Sequence, residues 1–268
     1  ENNPNSWMYC FRGGQRSSIA KVWLNEININ ISFVEGGFKV LRQTCIDSLD
    51  SVKNDSKRWI ILGGRTGTGK TVILNKLKSS IDLEKHAEHR GSAFGGFFSP
   101  QPTSIDFENR LALDYLRHEK QTLILEDESR NIGRVALPNT WFTRMKKSEL
   151  VILEISLDER VQNIIEDYVQ SPLRDGILEE DLLISLRSSL SRIQKRLGGD
   201  IFKEIRTKID KAILDPKNYH HEDWVVQLLN TYYDPLYDYQ IKSKDDKCIY
   251  RSDTKGVVEF LSGLESDK

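Results

Sequence analysis

Two short stretches carry residue types at spacings that do chemistry. The first is Cys10-Phe11-Arg12-Gly13-Gly14-Gln15-Arg16-Ser17, a cysteine and an arginine separated by five residues, after an apolar strand and before a helix. Such a loop turns backbone N–H groups toward the sulfur and toward any oxyanion beside it. Arg12, Arg16 and the helix N-terminus stabilise negative charge there and lower the thiol pKa toward a reactive thiolate, while Gly13 and Gly14 permit the tight turn. Two chemistries share this pattern. One transfers a sulfur-family atom through a persulfide-like intermediate; the other hydrolyses a phosphate ester through a phosphocysteine.

The second stretch, Gly64-Arg65-Thr66-Gly67-Thr68-Gly69-Lys70-Thr71, matches G-x-x-x-x-G-K-[ST] in full between a strand and a helix. Gly64, Gly67, Thr68 and Gly69 would cradle phosphate oxygens with backbone amides. Lys70 would reach the outer phosphate, and Thr71 would hold Mg²⁺ where that ion accompanies it. The acidic partner of such a loop ends a neighbouring strand, and Leu123-Ile124-Leu125-Glu126-Asp127-Glu128 offers Asp127 or Glu126. Phosphate binding follows from this motif; ATP hydrolysis does not. His89, Arg90 and Ser92 follow the loop's helix and read equally as pocket residues or as a polar turn closed by Gly91. Glu128, Arg130 and Arg134 sit where they could touch a diphosphate, a proton or RNA.

The elements that must position these loops are legible as strand and helix periods. The opening residues read as strand Trp7 to Cys10, helix Ser17 to Glu26, strand Ile29 to Val34 and helix Phe38 to Leu49; a polar linker from Asp50 to Lys57 follows. Strands Trp59 to Leu62, Thr122 to Leu125 and Leu150 to Ile155 alternate with helical patterns, which predicts a parallel α/β sheet. From Ser156, where Ser156 and Glu159 form a capping box, the chain becomes helix after helix. Glu179 to Leu197 is one such helix, stopped by Gly198-Gly199; Ile201 to Leu214 is another. The division expected is 1–52 for the cysteine-loop unit and 58–268 for the P-loop unit, with a helical subdomain over about 157–215.

The 268 residues carry a net charge of −1 and a pI near 6.6, so any nucleic-acid contact needs its cations gathered on one face. Arg187, Arg192, Lys195, Arg196, Lys203, Arg206, Lys208 and Lys211 make the helical region locally basic, interspersed with acids. Tyr232, Tyr233, Tyr237 and Tyr239 could stack an unpaired base, though core packing near Pro235 is the commoner role. Three cysteines give no disulfide framework, and Cys45 and Cys248 read as structural. The apolar runs are too short to span a bilayer and no signal-peptide pattern opens the chain, so a cytoplasmic protein is expected. The sequence leaves the oligomeric state open.

Val34-Glu35-Gly36-Gly37-Phe38, some 25 residues after Cys10, resembles the glycine pair that opens the last helix of rhodanese domains, which favours sulfur-family transfer over the phosphatase. A half-rhodanese joined to a P-loop unit resembles the tRNA 2-selenouridine synthase family. The strings His89-Arg90-Gly91-Ser92-Ala93-Phe94-Gly95, Leu125-Glu126-Asp127-Glu128-Ser129-Arg130-Asn131-Ile132-Gly133-Arg134 and Tyr232-Tyr233-Asp234-Pro235-Leu236-Tyr237-Asp238-Tyr239 share that resemblance, which spans nearly the whole chain. A complete rhodanese domain is expected to place ~80 or more residues ahead of its active cysteine, and nine precede Cys10 here, so the resemblance is to the C-terminal half of that domain.

What the resemblance implies is a two-step change at the wobble uridine of tRNAs carrying 2-thiouridine. Geranyl diphosphate first alkylates the sulfur; selenium from selenophosphate then displaces the geranylated sulfur. Cys10 would carry or receive selenium within its anion nest, and the P-loop would hold a diphosphate or phosphate. Asp127 or Glu128 would position a cation or proton, with no tightly bound cofactor and no need to split ATP. Against this stand a P-loop kinase or ATPase, a cysteine phosphatase and a non-catalytic RNA-binding remnant.

Overall fold

The computed structural model describes residues 6–12 and 14–266. The chain opens with β1 (Trp7–Met8), α1 (Gln15–Glu26), β2 (Ser32–Phe33) and α2 (Phe38–Ser51). It continues through β3 (Arg58–Gly64), α3 (Lys70–Leu74), α4 (Leu83–Ala87), α5 (Ser104–Arg117), β4 (Thr122–Glu126), β5 (Asn131–Ile132), β6 (Val135–Ala136), α6 (Asn139–Met145) and β7 (Glu149–Leu153). The remainder is α7 (Leu157–Ile165), α8 (Ser171–Arg174), α9 (Glu179–Leu197), α10 (Gly199–Leu214), α11 (His221–Leu228), α12 (Asp234–Lys242), β8 (Cys248–Ser252) and α13 (Thr254–Ser266).

A parallel sheet in the order β4-β3-β7-β8 forms the centre of this α/β fold. Its inner strands are continuous apolar runs because both faces are covered. Trp59, Ile61, Leu123 and Leu125 face one way, onto Phe107 and Leu111 of α5 and Trp141 of α6. Ile60, Leu62, Ile124 and Val151 face the other way, onto Ile73 and Leu74 of α3 and Val257 and Leu261 of α13. Register pairs Ile60 with Ile124 and with Glu149, so the C-terminal ends of β3, β4 and β7 lie side by side. Ligands of open parallel sheets bind at that edge.

Strand β8 was not expected. Its alternating exposure is that of an edge strand, and the run Cys-Ile-Tyr-Arg-Ser lacks the apolar continuity that marks the buried strands. Cys248 lies in it, half-buried, and Cys45 is half-buried on α2; both pack against the core that holds Trp59.

The helical layer has its own core, in which Leu182, Leu186, Leu190 and Ile193 of α9 meet Ile205 and Ile209 of α10, Trp224 of α11 and Val161 and Ile164 of α7. The boundaries follow local chemistry. Ser156 and Glu159 make the reciprocal capping box, and Gly198, at φ 83°, turns α9 directly into α10.

The opening elements are shorter as strands than expected. Only Trp7–Met8 and Ser32–Phe33 pair, in parallel, with Trp7 opposite Ser32. The expected linker from Asp50 to Lys57 is instead packed structure. Helix α2 runs to Ser51, a 3₁₀ turn covers Val52–Asn54, and Val52 is fully buried. Polar composition misled here because the turn is held by its carbonyls: Arg144 donates to Val52 O and to Lys57 O. Helix α2 also docks on α5, with Arg42 donating to Asn109 at 2.8 Å and pairing with Glu108. Among the described residues no helix is long and apolar enough to cross a membrane.

Phe107 is fully buried between α5 and the sheet. Truncating it (Phe107→Ala) should cost about 3–5 kcal/mol, read as a lower urea midpoint at unchanged slope.

Candidate active site

The P-loop leaves the C-terminal end of β3 and wraps onto α3. Gly67 (φ 83°) and Gly69 (φ 79°) adopt the left-handed backbone that turns successive amides inward. Gly67 also lies close against α7, where an added Cβ would meet Arg160 O and Ile164 at 2.8 Å. The loop is braced from outside by side chains donating to its carbonyls. Arg160 Nε reaches Thr66 O at 2.9 Å, Asn163 Nδ2 reaches Gly67 O at 2.9 Å, and the Thr68 hydroxyl closes on Arg65 O at 2.9 Å. Lys70 Nζ donates back to Gly64 O at 3.0 Å. Arg160 is itself buried and forms a two-pronged ion pair with Asp234 of α12, at 2.9 and 2.5 Å. Arg65 pairs with Asp238 one turn further along α12.

Acids lie beside this nest, but not as expected. Asp127 is held by Lys244 at 2.6 and 2.7 Å, and the carboxylate that accepts the Thr71 hydroxyl is Glu84, at 3.3 Å. Thr71 and Asp127 thus each have a side-chain partner of their own, Glu84 and Lys244. Glu126 is buried and accepts the Glu84 N–H at 2.7 Å, and its second oxygen has no hydrogen-bond partner among the described residues. Burial, then the negative charges of Asp82, Glu84 and Glu128, holds its carboxyl well above the usual range. Burial and the neighbouring Glu84 push Glu128 up to about 8, so the Glu84–Glu128 pair retains a proton near neutrality. Lys70 opposes both shifts. Among the described residues no group of three or more His, Cys, Asp or Glu side chains is arranged to hold a metal ion.

A cleft of about 1150 Å³ unites much of what the sequence scattered. Its lining includes the whole P-loop from Gly64 to Thr71 apart from Arg65, together with Arg90, Ser92, Asp127 and Glu128. The cations Arg192, Lys195 and Arg196 and the phenols Tyr232, Tyr233 and Tyr237 belong to the same lining. Ser92 bonds the Tyr168 hydroxyl at 3.2 Å, and burial raises that phenol to about 12. Arg90 lies over the rings of Phe97 and Tyr168, at 4.5 and 5.1 Å. His89 is buried behind this wall, where burial lowers its pKa. Arg130 and Arg134 are exposed, outside the cleft lining, and Tyr239 is exposed beyond it.

The cysteine loop is a separate construction and lines no part of that cleft. Gly13 lies outside the described residues; Gly14 (φ 82°) caps α1. Gly37 (φ 61°) approaches Cys10 so closely that a Cβ would collide with the Cys10 carbonyl and come within 3.4 Å of its sulfur. Phe38 N–H donates to Cys10 O at 2.8 Å, so the glycine pair fixes the loop. The hydroxyl and N–H of Ser17, with Arg12 and Gly14 backbone groups, lower the thiol to about 7. Arg12 and Arg16 are exposed.

A family model described as "tRNA 2-selenouridine synthase AAA domain" matches residues 57–267. The chain belongs to the tRNA 2-selenouridine synthase family. Proteins named tRNA 2-selenouridine synthase in Hydrogenovibrio crunogenus and Marinobacter nauticus are each 42% identical to it, over 98% of this chain and 76% of the relative. The Shewanella frigidimarina protein of that name is 38% identical over the same shares. No solved structure matches.

For this family member the sequence missed Arg160, Asn163, Glu84 and Lys244. Arg160 and Asn163 lie three apart on α7, beside the apolar stripe of Val161, Ile164 and Ile165. A charge so placed signals a buried partner, although not which one.

Two predictions follow from this geometry. Asp234→Ala strands the buried Arg160 guanidinium and should cost about 3–5 kcal/mol by chemical denaturation; Asp238→Ala, losing an exposed pair, should cost under about 1 kcal/mol. Iodoacetamide modification of Cys10 should rise with pH to half its plateau near pH 7. Because lowering comes chiefly from Ser17, Ser17→Ala should move that midpoint upward, toward an ordinary thiol.

Proposed function

We propose that this chain converts 2-thiouridine at the wobble position of tRNA to 2-selenouridine through an S-geranyl intermediate, consuming geranyl diphosphate and selenophosphate. The observation carrying this reading is the coexistence of a braced phosphate nest and a separate low-pKa cysteine in a chain related to tRNA 2-selenouridine synthases over nearly its full length. The kinase, ATPase and phosphatase readings use each loop alone and leave the other without a role.

In this reading the P-loop takes the diphosphate. Its inward amides and Lys70 stabilise the negative charge that grows on the leaving diphosphate as the geranyl carbon bonds to the RNA sulfur. A Mg²⁺ arriving with the diphosphate would be held by the Thr71 hydroxyl and the Glu84 carboxylate, neutralising phosphate charge. Glu128 holds its proton beside that position, where a neutral carboxyl repels the anion least.

Cys10 serves the second step in the loop that holds the selenium donor: amides of residues 12–17, with Arg12 and Arg16, hold the selenophosphate anion while its selenium bonds to the uridine carbon, the geranylated sulfur leaves as geranylthiol and water takes the phosphoryl group. Residues up to the end of α2 act as the C-terminal half of a rhodanese domain, supported by the parallel β1–β2 pair and the Gly37–Cys10 contact. The P-loop unit follows from residue 58, with the helical layer as its subdomain.

Mass spectrometry of tRNA after successive incubation with geranyl diphosphate and selenophosphate tests the division. Cys10→Ser should abolish selenation and spare geranylation. Lys70→Ala should slow geranylation about 100-fold. Equal loss of both products in the cysteine variant, or undisturbed geranylation in the lysine variant, would reject it.

A further inference from the structure

The basic residues of the helical layer do not form one uniform patch. Arg187 is paired with Asp210 at 2.7 Å, Lys208 with Glu204 at 2.9 Å, and Lys211 lies over the Tyr219 ring at 4.6 Å. Arg192, Lys195 and Arg196 differ. Among the described residues no carboxylate lies within ion-pair distance of any of them. The hydrogen bonds of Arg192 and Arg196 go instead to Ala93 O and to the Tyr232 hydroxyl, each at 3.2 Å. Spacings of three and four place the three on one face of α9, all exposed, and all on the cleft that contains the P-loop. Uncompensated charge of one sign on a concave surface draws in a polyanion.

The same cleft presents a flat π surface. The Arg90 guanidinium is layered on Phe97 and Tyr168, and Phe97 remains 41% exposed beside it. A stacked arginine–aromatic pair with an open face accepts an unstacked base, which a duplex cannot offer but a single-stranded loop can. Acids also border the cleft: Glu88, paired with Arg110, and Asp167, with Asp82, Glu84, Asp127 and Glu128 near the P-loop, so the unpaired α9 cations are its part suited to a phosphate backbone.

We infer that this rim is the RNA-docking surface: Arg192, Lys195 and Arg196 hold backbone phosphates of a single-stranded tRNA loop, and Phe97 on Arg90 stacks one of its bases. The inference rests on the tRNA reading above and adds where the RNA lies, bringing it to the P-loop along the helical layer.

The test is tRNA binding by fluorescence anisotropy across a salt series, using the full chain and a 2-thiouridine tRNA. Replacing all three α9 cations (Arg192→Glu, Lys195→Glu, Arg196→Glu) should weaken binding at least 30-fold at low salt. It should also flatten the log K against log salt slope by about 2, at roughly 0.7 per phosphate contact. Phe97→Ala should weaken binding about tenfold at unchanged slope. Lys203→Glu with Arg206→Glu, equal in kind but outside the cleft lining, should change binding less than threefold. Inorganic pyrophosphate binding checks that each variant keeps its P-loop; should the triple variant lose it, Lys195→Ala alone decides, with a slope change of about 0.7 expected. Wild-type affinity and slope in the α9 variants would overturn the docking surface while leaving the tRNA reading intact. Failure of the unsubstituted chain to bind tRNA at all would overturn both.

Discussion

The buried ion pair between Arg160 and Asp234 is the contact on which the arrangement of the cleft depends. Arg160 belongs to α7, Asp234 to α12, and the third direction of the guanidinium is spent on the Thr66 carbonyl of the P-loop. One side chain therefore fixes the position of the helical layer relative to the phosphate nest. A charge this deeply buried is tolerated only when every donor finds an acceptor, and that requirement makes the junction specific. An apolar contact at the same place would let α7 slide; a bidentate guanidinium–carboxylate pair has one geometry. The neighbouring Asn163–Gly67 bond and the tight packing of Gly67 on Ile164 repeat the constraint from the same helix.

Electrostatics within the cleft follow from this frame. The P-loop supplies fixed positive dipoles and Lys70, while the end of β4 delivers Glu126, the residues just after it Glu128, and the start of α4 Asp82 and Glu84. So many carboxyls cannot all ionise at once in a half-buried site. Burial and like charges accordingly hold Glu126, behind the cleft, well above the usual carboxyl range and push Glu128, in its lining, up to about 8. Asp127, beside them, is paired with Lys244.

What was legible in the sequence and what was not divides along the range of the interactions. The P-loop could be read because its function is local: glycines, lysine and threonine act through their own backbone in a fixed strand–loop–helix context. Helix α9 was read to its end residues because apolar periodicity and a glycine stop are local as well. Strand β8 could not be, since an edge strand needs only one apolar face and one neighbour. The turn at Val52 escaped for a related reason: its polar neighbours describe a loop, and only Arg144, 92 residues later, shows that its carbonyl is bonded. The pairing of Asp127 with Lys244 was invisible because the two lie 117 residues apart.

The tyrosine-rich string from Tyr232 to Tyr239 shows how one motif serves two purposes that its composition alone cannot separate. Asp234 and Asp238, one turn apart, bond the arginines of α7 and of the P-loop, so the acids account for its structural role. Tyr232, Tyr233 and Tyr237 are then carried to the cleft by the same helical turns; the phenolic oxygen of Tyr237 is buried without a hydrogen-bond partner among the described residues. A buried unpaired hydroxyl is costly unless another molecule completes it. Anchoring by the aspartates thus holds the phenols in place at the edge of the phosphate nest. The stability of that junction and the chemistry of the cleft are set by alternate residues of a single segment.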